Sequence, residues 1–101
     1  MKNVLLVCGS GASSAFMAMA IRKAAVQENY PITVFARSES EIENYADEID
    51  AVMIGPHLSS TYQDIKEQYQ DHFQVILMKP SYYATLNGAE ALAHIKEVLG
   101  E

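Results

Sequence analysis

The chain has 101 residues, half apolar and a fifth charged, which is the size of one domain and lies far from the composition of disordered segments. Thirteen acidic against seven basic residues give a formal charge of −6, which repels phosphate backbones and anionic lipid, so no nucleic-acid partner is expected. No apolar run approaches the ~20 residues of a membrane helix, no basic-then-apolar leader opens the chain, and a single cysteine rules out an internal disulfide, so a soluble, cytoplasmic protein is expected.

In chain order, Asn3 to Val7 is a short continuous apolar run, the mark of a strand buried on both faces of a parallel sheet, and it ends at Cys8. Ser13 to Glu28 lacks glycine and proline and repeats Met17, Ile21 and Ala24 at helical spacing, until Tyr30-Pro31 stops it. Ile32 to Ala36 (ITVFA) is a short β-branched strand, and the acidic stretch from Ser38 to Asp50 reads as a brief surface helix. Ala51 to Ile54 (AVMI) is a third strand cut off by Gly55-Pro56, after which Leu58, Tyr62, Ile65 and Tyr69 share one helical face. Phe73 to Met78 supplies a fourth strand, Lys79 to Asn87 a loop, and Gly88 to Leu99 a last helix with Leu92, Ile95 and Leu99 inward. His72 and His94 read as solvent-facing.

Strands alternating with helices imply right-handed crossovers, hence a single-domain α/β three-layer sandwich over residues 1–101. Its four-stranded parallel sheet takes the flavodoxin-like order 2-1-3-4, with helices on both faces. In such sheets ligands bind beyond the carboxyl ends of the strands, where the winding reverses, here between the first and third strands. Cys8 ends the first strand and so falls at that place. The following Gly9, Ser10, Gly11, Ala12, Ser13 and Ser14 carry small side chains or none, so their backbone N–H groups can curl around an oxyanion at the positive end of the first helix. The same groups stabilise a thiolate and make Cys8 a candidate nucleophile. Free cysteines are often simply buried, and glycines after a strand often serve only a turn; the position at the strand's carboxyl end favours chemistry over packing. The segment lacks the third glycine of a dinucleotide fingerprint and the GK[ST] of a nucleotide P-loop.

CGSGASS resembles the C-x-x-G-x-S-[ST] pattern of the lactose/cellobiose-type IIB components of the bacterial sugar phosphotransferase system, with Cys8, Gly11, Ser13 and Ser14 in the matching places. VMIGPH (Val52 to His57) is similar to that family's third strand and Gly-Pro turn, and Tyr83 with Asn87-Gly88 to the region before its last helix. His57 departs from the glutamine expected there, and with Tyr83 it is assigned to the periphery of the site. The resemblance implies a protein-phosphocysteine–sugar phosphotransferase. Cys8 would take a phosphoryl group from a phosphohistidine on the IIA protein and pass it to a sugar delivered by the membrane IIC permease, a β-glucoside or disaccharide such as cellobiose, lactose or chitobiose. No cofactor or metal is implied; the isolated chain is expected to be a monomer that meets the membrane through IIC. Both transfers require an exposed loop, and Phe16 and Met17 are candidates for its border, Met17 with the stronger pull into the core.

Two other readings stay open. Low-molecular-weight tyrosine phosphatases share this architecture and carry a C-x5-R loop, but six residues after Cys8 stands Ser14, and without a guanidinium hydrolysis should be poor. Alternatively, the loop holds an anion without catalysis and Cys8 is incidental.

Overall fold

A computed structural model describes residues 2–7 and 12–100, with side chains from residue 15 onward in the first helix. Four parallel strands, β1 (Lys2–Val7), β2 (Ile32–Ala36), β3 (Ala51–Ile54) and β4 (Gln74–Leu77), form one sheet in the order β2-β1-β3-β4. Helices α1 (Ala12–Gln27), α2 (Ile42–Tyr45), α3 (Ser59–Tyr69), α4 (Pro80–Thr85) and α5 (Gly88–Val98) complete the described chain.

The strands carry continuous apolar runs because both faces are covered. Val4 and Leu6 of β1 pack with Met17 and Ile21 of α1 and with Leu92 and Ile95 of α5. Leu5 and Val7 point the other way, onto Ile42 of α2 and Ile65 of α3. Burying a side chain of this size contributes roughly 1.5–3 kcal/mol, so the two central strands, β1 and β3, are the main hydrophobic anchor.

The α1 stop differs from expectation. Asn29 adopts a left-handed φ of 55°, its N–H donating to the Val26 carbonyl while the Tyr30 N–H donates to that of Ala25, a Schellman closure completed before Pro31. The acidic segment is shorter than expected: a 3-10 turn over Glu39–Glu41 leads into the four residues of α2. The loop predicted from Lys79 to Asn87 is corrected to a helix, α4, which begins with Pro80 in its first turn, where proline loses no hydrogen bond. It ends at Leu86, in the left-handed region at φ 53° and ψ 42°, and Asn87 then caps α5 by accepting the Glu90 N–H at 3.2 Å. Gly88 is needed for close approach: a Cβ there would lie 2.1 Å from the Ala20 carbonyl oxygen of α1. Leu99 lies just past the end of α5 and is half-buried.

Candidate functional site at the carboxyl edge of the sheet

β1 is the inner strand from which the winding departs in both directions, and its carboxyl end is held from both sides. The Arg37 N–H, one residue past β2, donates to the Leu6 carbonyl at 3.0 Å, and the Gly55 N–H, one residue past β3, donates to Val7 at 2.9 Å. Four residues, Cys8 to Gly11, join Val7 to the first turn of α1 at Ala12. The predicted nucleophile Cys8 and loop residues Gly9, Ser10 and Gly11 lie outside the described residues, as do the side chains of Ala12, Ser13 and Ser14. The described chain carries side chains from three other elements at the carboxyl edge of the sheet.

His57 follows the β3 Gly-Pro turn and is exposed; its ring centroid lies 6.0 Å from that of Tyr83 on α4, tilted by 46°. Tyr83 is half-buried and packs against the α1–α5 side of the core. Beside it, Phe16, Tyr83, Ala84 and Leu86 line a cleft of about 270 Å³. Phe16 is 60% exposed, whereas Met17 is fully buried; α1 thus turns one of the two predicted border residues outward and commits the other to the core. Met19 is 58% exposed and Leu86 41%. Residues 12–21 and 80–89, which form α1's first turns, α4 and the start of α5, contain no charged side chain in a chain of net charge −6. An uncharged apolar surface therefore spans the first turns of α1 and α4.

Arg37, at the same edge, was not singled out by its sequence. Its guanidinium lies over the rings of Phe35 (5.3 Å) and Tyr45 (5.7 Å), with Nε donating to the Tyr45 hydroxyl at 3.2 Å and Nη1 to the Ala36 carbonyl at 2.7 Å. The Tyr45 hydrogen bond holds its pKa above the usual arginine value, with Glu41 adding a smaller attraction. The signal available beforehand was its place as the first charged residue after a strand, at the edge where this fold binds ligands.

His94 is corrected from solvent-facing to half-buried: Nδ1 shares a 2.6 Å hydrogen bond with the hydroxyl of the buried Tyr82. Burial, helped by Lys79, pushes His94 below the ordinary histidine pKa against a smaller opposing pull from Glu97, and burial raises Tyr82 to about 12. This pair ties α4 to α5. His72 is exposed and sets its ring against Tyr69. Among the described residues, no helix is long and apolar enough to cross a membrane.

The relatives agree with this architecture. Residues 3–94 match the family described as PTS system, lactose/cellobiose-specific IIB subunit. The chain belongs to that family. It is 29% identical over 94% of its length to the lactose-specific EIICB component of Lactococcus lactis subsp. lactis, and 31% identical over the same share to that of Streptococcus mutans. It spans only 17% of the length of either relative. The lactose-specific IIB component domain of Streptococcus pneumoniae superposes with a TM-score of 0.85 at 20% identity, covering 96% of both chains. The cellobiose-specific phosphotransferase IIB component protein of Borrelia burgdorferi gives 0.79 at 26% identity, covering 98% of this chain and 93% of the other. The single-domain 2-1-3-4 fold is common to all three IIB structures.

Proposed function

We propose that this chain works as one IIB domain, a phosphocarrier with Cys8 as its nucleophile. The Cys8 thiolate attacks the phosphorus of a phosphohistidine on a IIA protein; a P–S bond forms as the P–N bond breaks, and the bonding pair returns to the imidazole. A sugar hydroxyl then attacks the phosphocysteine: a P–O bond forms, the P–S bond breaks with its pair returning to sulfur, and the hydroxyl proton passes to solvent or a base. Backbone N–H groups from Gly9 to Ser14 bind the phosphoryl oxygens, with the Ser13 and Ser14 hydroxyls as further donors, in a step that needs chiefly alignment and charge stabilisation.

The observation that carries this reading is the position of Cys8 directly after Val7, at the carboxyl end of the inner strand of a IIB-family sheet and four residues before α1 begins. The uncharged surface of Phe16, Met19, Tyr83 and Leu86 suits transient protein docking beside it. Relatives named EIICB components support a membrane IIC partner, and lactose and cellobiose in the names of the family and its solved members support a disaccharide as the final acceptor. His57 and Tyr83 border the docking surface.

Intact-mass spectrometry tests the proposal, after incubation with phosphoenolpyruvate, the general phosphotransferase proteins and candidate IIA proteins. One added phosphoryl group, absent in Cys8→Ser, is expected. With active donors and a folded chain, no adduct from any IIA would instead leave a non-catalytic anion-binding module.

A further inference from the structure

β1 and β3 lie inside the sheet, whereas β2 and β4 each leave one side without a neighbouring strand. At the two ends of β2, the Lys2 N–H donates to the Pro31 carbonyl at 3.4 Å and the Arg37 N–H donates to the Leu6 carbonyl at 3.0 Å. A strand residue points its N–H and C=O to one side and the next residue points them to the other. Pro31, Thr33, Phe35 and Arg37 therefore face β1, while Ile32, Val34 and Ala36 turn their backbone groups outward. Such an outward row is a template for another strand. Ile32 to Ala36 is rich in β-branched and aromatic side chains and contains no charge, glycine or proline, a composition that pairs readily. β4 offers less: it is four residues long and turns only Val75 and Leu77 outward.

Of these three outward carbonyls, those of Val34 and Ala36 are taken by arginine. From α1, Arg22 Nη1 donates to the Val34 carbonyl at 2.6 Å, and Arg37 Nη1 donates to the Ala36 carbonyl at 2.7 Å. The two belong to opposite faces of the sheet: α1 covers the face of Val4 and Leu6, whereas Arg37 lies over Phe35 and Tyr45, which pack with Leu5 and Val7. Both side chains are exposed, so their charge stays in water at the rim of the sheet. A charged donor holds a carbonyl more firmly than the neutral N–H of an incoming strand does. Antiparallel pairing of two copies centred on Val34 would set Ile32 opposite Ala36 and bring the two Arg22 side chains together, adding like-charge repulsion to the lost hydrogen bonds.

We propose that Arg22 and Arg37 are straps that close the lateral edge of β2 against pairing with the β2 of a second copy of this chain. The inference does not depend on the phosphocarrier reading. With the straps removed, two sheets join edge to edge through Ile32, Val34 and Ala36; with them in place, the apolar strand ITVFA stays at the rim of one domain.

Arg22→Gln removes the charge and shortens the side chain, which releases the Val34 carbonyl. Sedimentation equilibrium and amide hydrogen exchange by NMR compare it with the parent chain at protein concentrations up to about 1 mM. The self-association Kd of the variant should be about tenfold lower than that of the parent, the effect of losing one charge-assisted hydrogen bond. The amides of Ile32, Val34 and Ala36 should gain protection as concentration rises, while those of Thr33 and Phe35, already turned to β1, should keep theirs unchanged. Equal association of parent and variant overturns the proposal. So does an association that leaves the three outward amides unprotected, because it uses another surface. If Arg22→Gln does not fold, Arg37→Gln frees the Ala36 carbonyl in its place and has to show the same concentration-dependent protection; without it the proposal fails.

Discussion

At the amino ends of the strands, Asn3 and Asp50 close on each other: the Asn3 N–H donates to the Asp50 carboxylate at 2.8 Å, the Asp50 N–H to the Asn3 carbonyl at 2.8 Å, and the Asn3 side-chain amide to the Glu48 carbonyl at 2.9 Å. At the carboxyl ends, Phe16, Met19 and Leu86 face solvent, Leu86 keeps a left-handed backbone, and Arg37 lies on neutral groups. Polar groups at the first edge satisfy one another within the fold, while the second leaves apolar area exposed. A leucine at positive φ costs roughly 1–2 kcal/mol, and an exposed one recovers little of that by burial, so the second edge retains features that folding alone does not favour. The contrast divides the domain into an end closed by its own side-chain hydrogen bonds and an end that leaves apolar side chains exposed.

Gly88, where α5 meets the α1 backbone, should give the largest effect. Gly88→Val drives a side chain into the Ala20 carbonyl and should cost about 3 kcal/mol in urea unfolding. A loss below about 1 kcal/mol would mean that α1 and α5 separate easily and that the apolar edge is not rigidly mounted. The two edges can then be set against each other directly. Asp50→Ala should lose about 1 kcal/mol of stability, as expected for a half-buried N–H left without its acceptor, with the rate of phosphorylation unchanged. Phe16→Ser should do the reverse, leaving unfolding within about 0.5 kcal/mol and raising the KM for a IIA donor several-fold. Equal effects of both variants on both measurements would erase the distinction.

The smallest effect belongs to His94, which holds α4 through Tyr82. Its pKa is lowered in the folded state, so the unfolded chain binds the extra proton more readily. Stability therefore rises with pH between the folded value and the unfolded value near 6.5, and is lost as pH falls through that window. His94→Asn, which keeps an acceptor for Tyr82, should flatten that slope, as read from denaturation midpoints at pH 5 to 7. An unchanged slope would assign it to other groups.

Most of this architecture is legible in the residues because a doubly covered parallel strand has a plain signature: ITVFA and AVMI coincide with β2 and β3, and the other two strands end within a residue of expectation. α4 was not legible, since six residues beginning with proline show no helical period and the segment is held by Tyr82 reaching His94 across a turn. The same long-range bond explains the misreading of His94, whose partner lies twelve residues earlier. The expected site at Cys8 followed from a local pattern of small residues after an apolar strand. The place of Arg37 depends on strand register, which pairs residues 30 positions apart, and a single charge after a strand looks like ordinary punctuation until that register is known.

The most direct test of the account is to load the chain from a phosphorylated IIA protein and locate the phosphoryl group by fragmentation mass spectrometry under conditions that preserve both P–S and P–N bonds. The account predicts a single modification on Cys8. A phosphoryl group on His57, or on any residue away from the carboxyl end of β1, would contradict it.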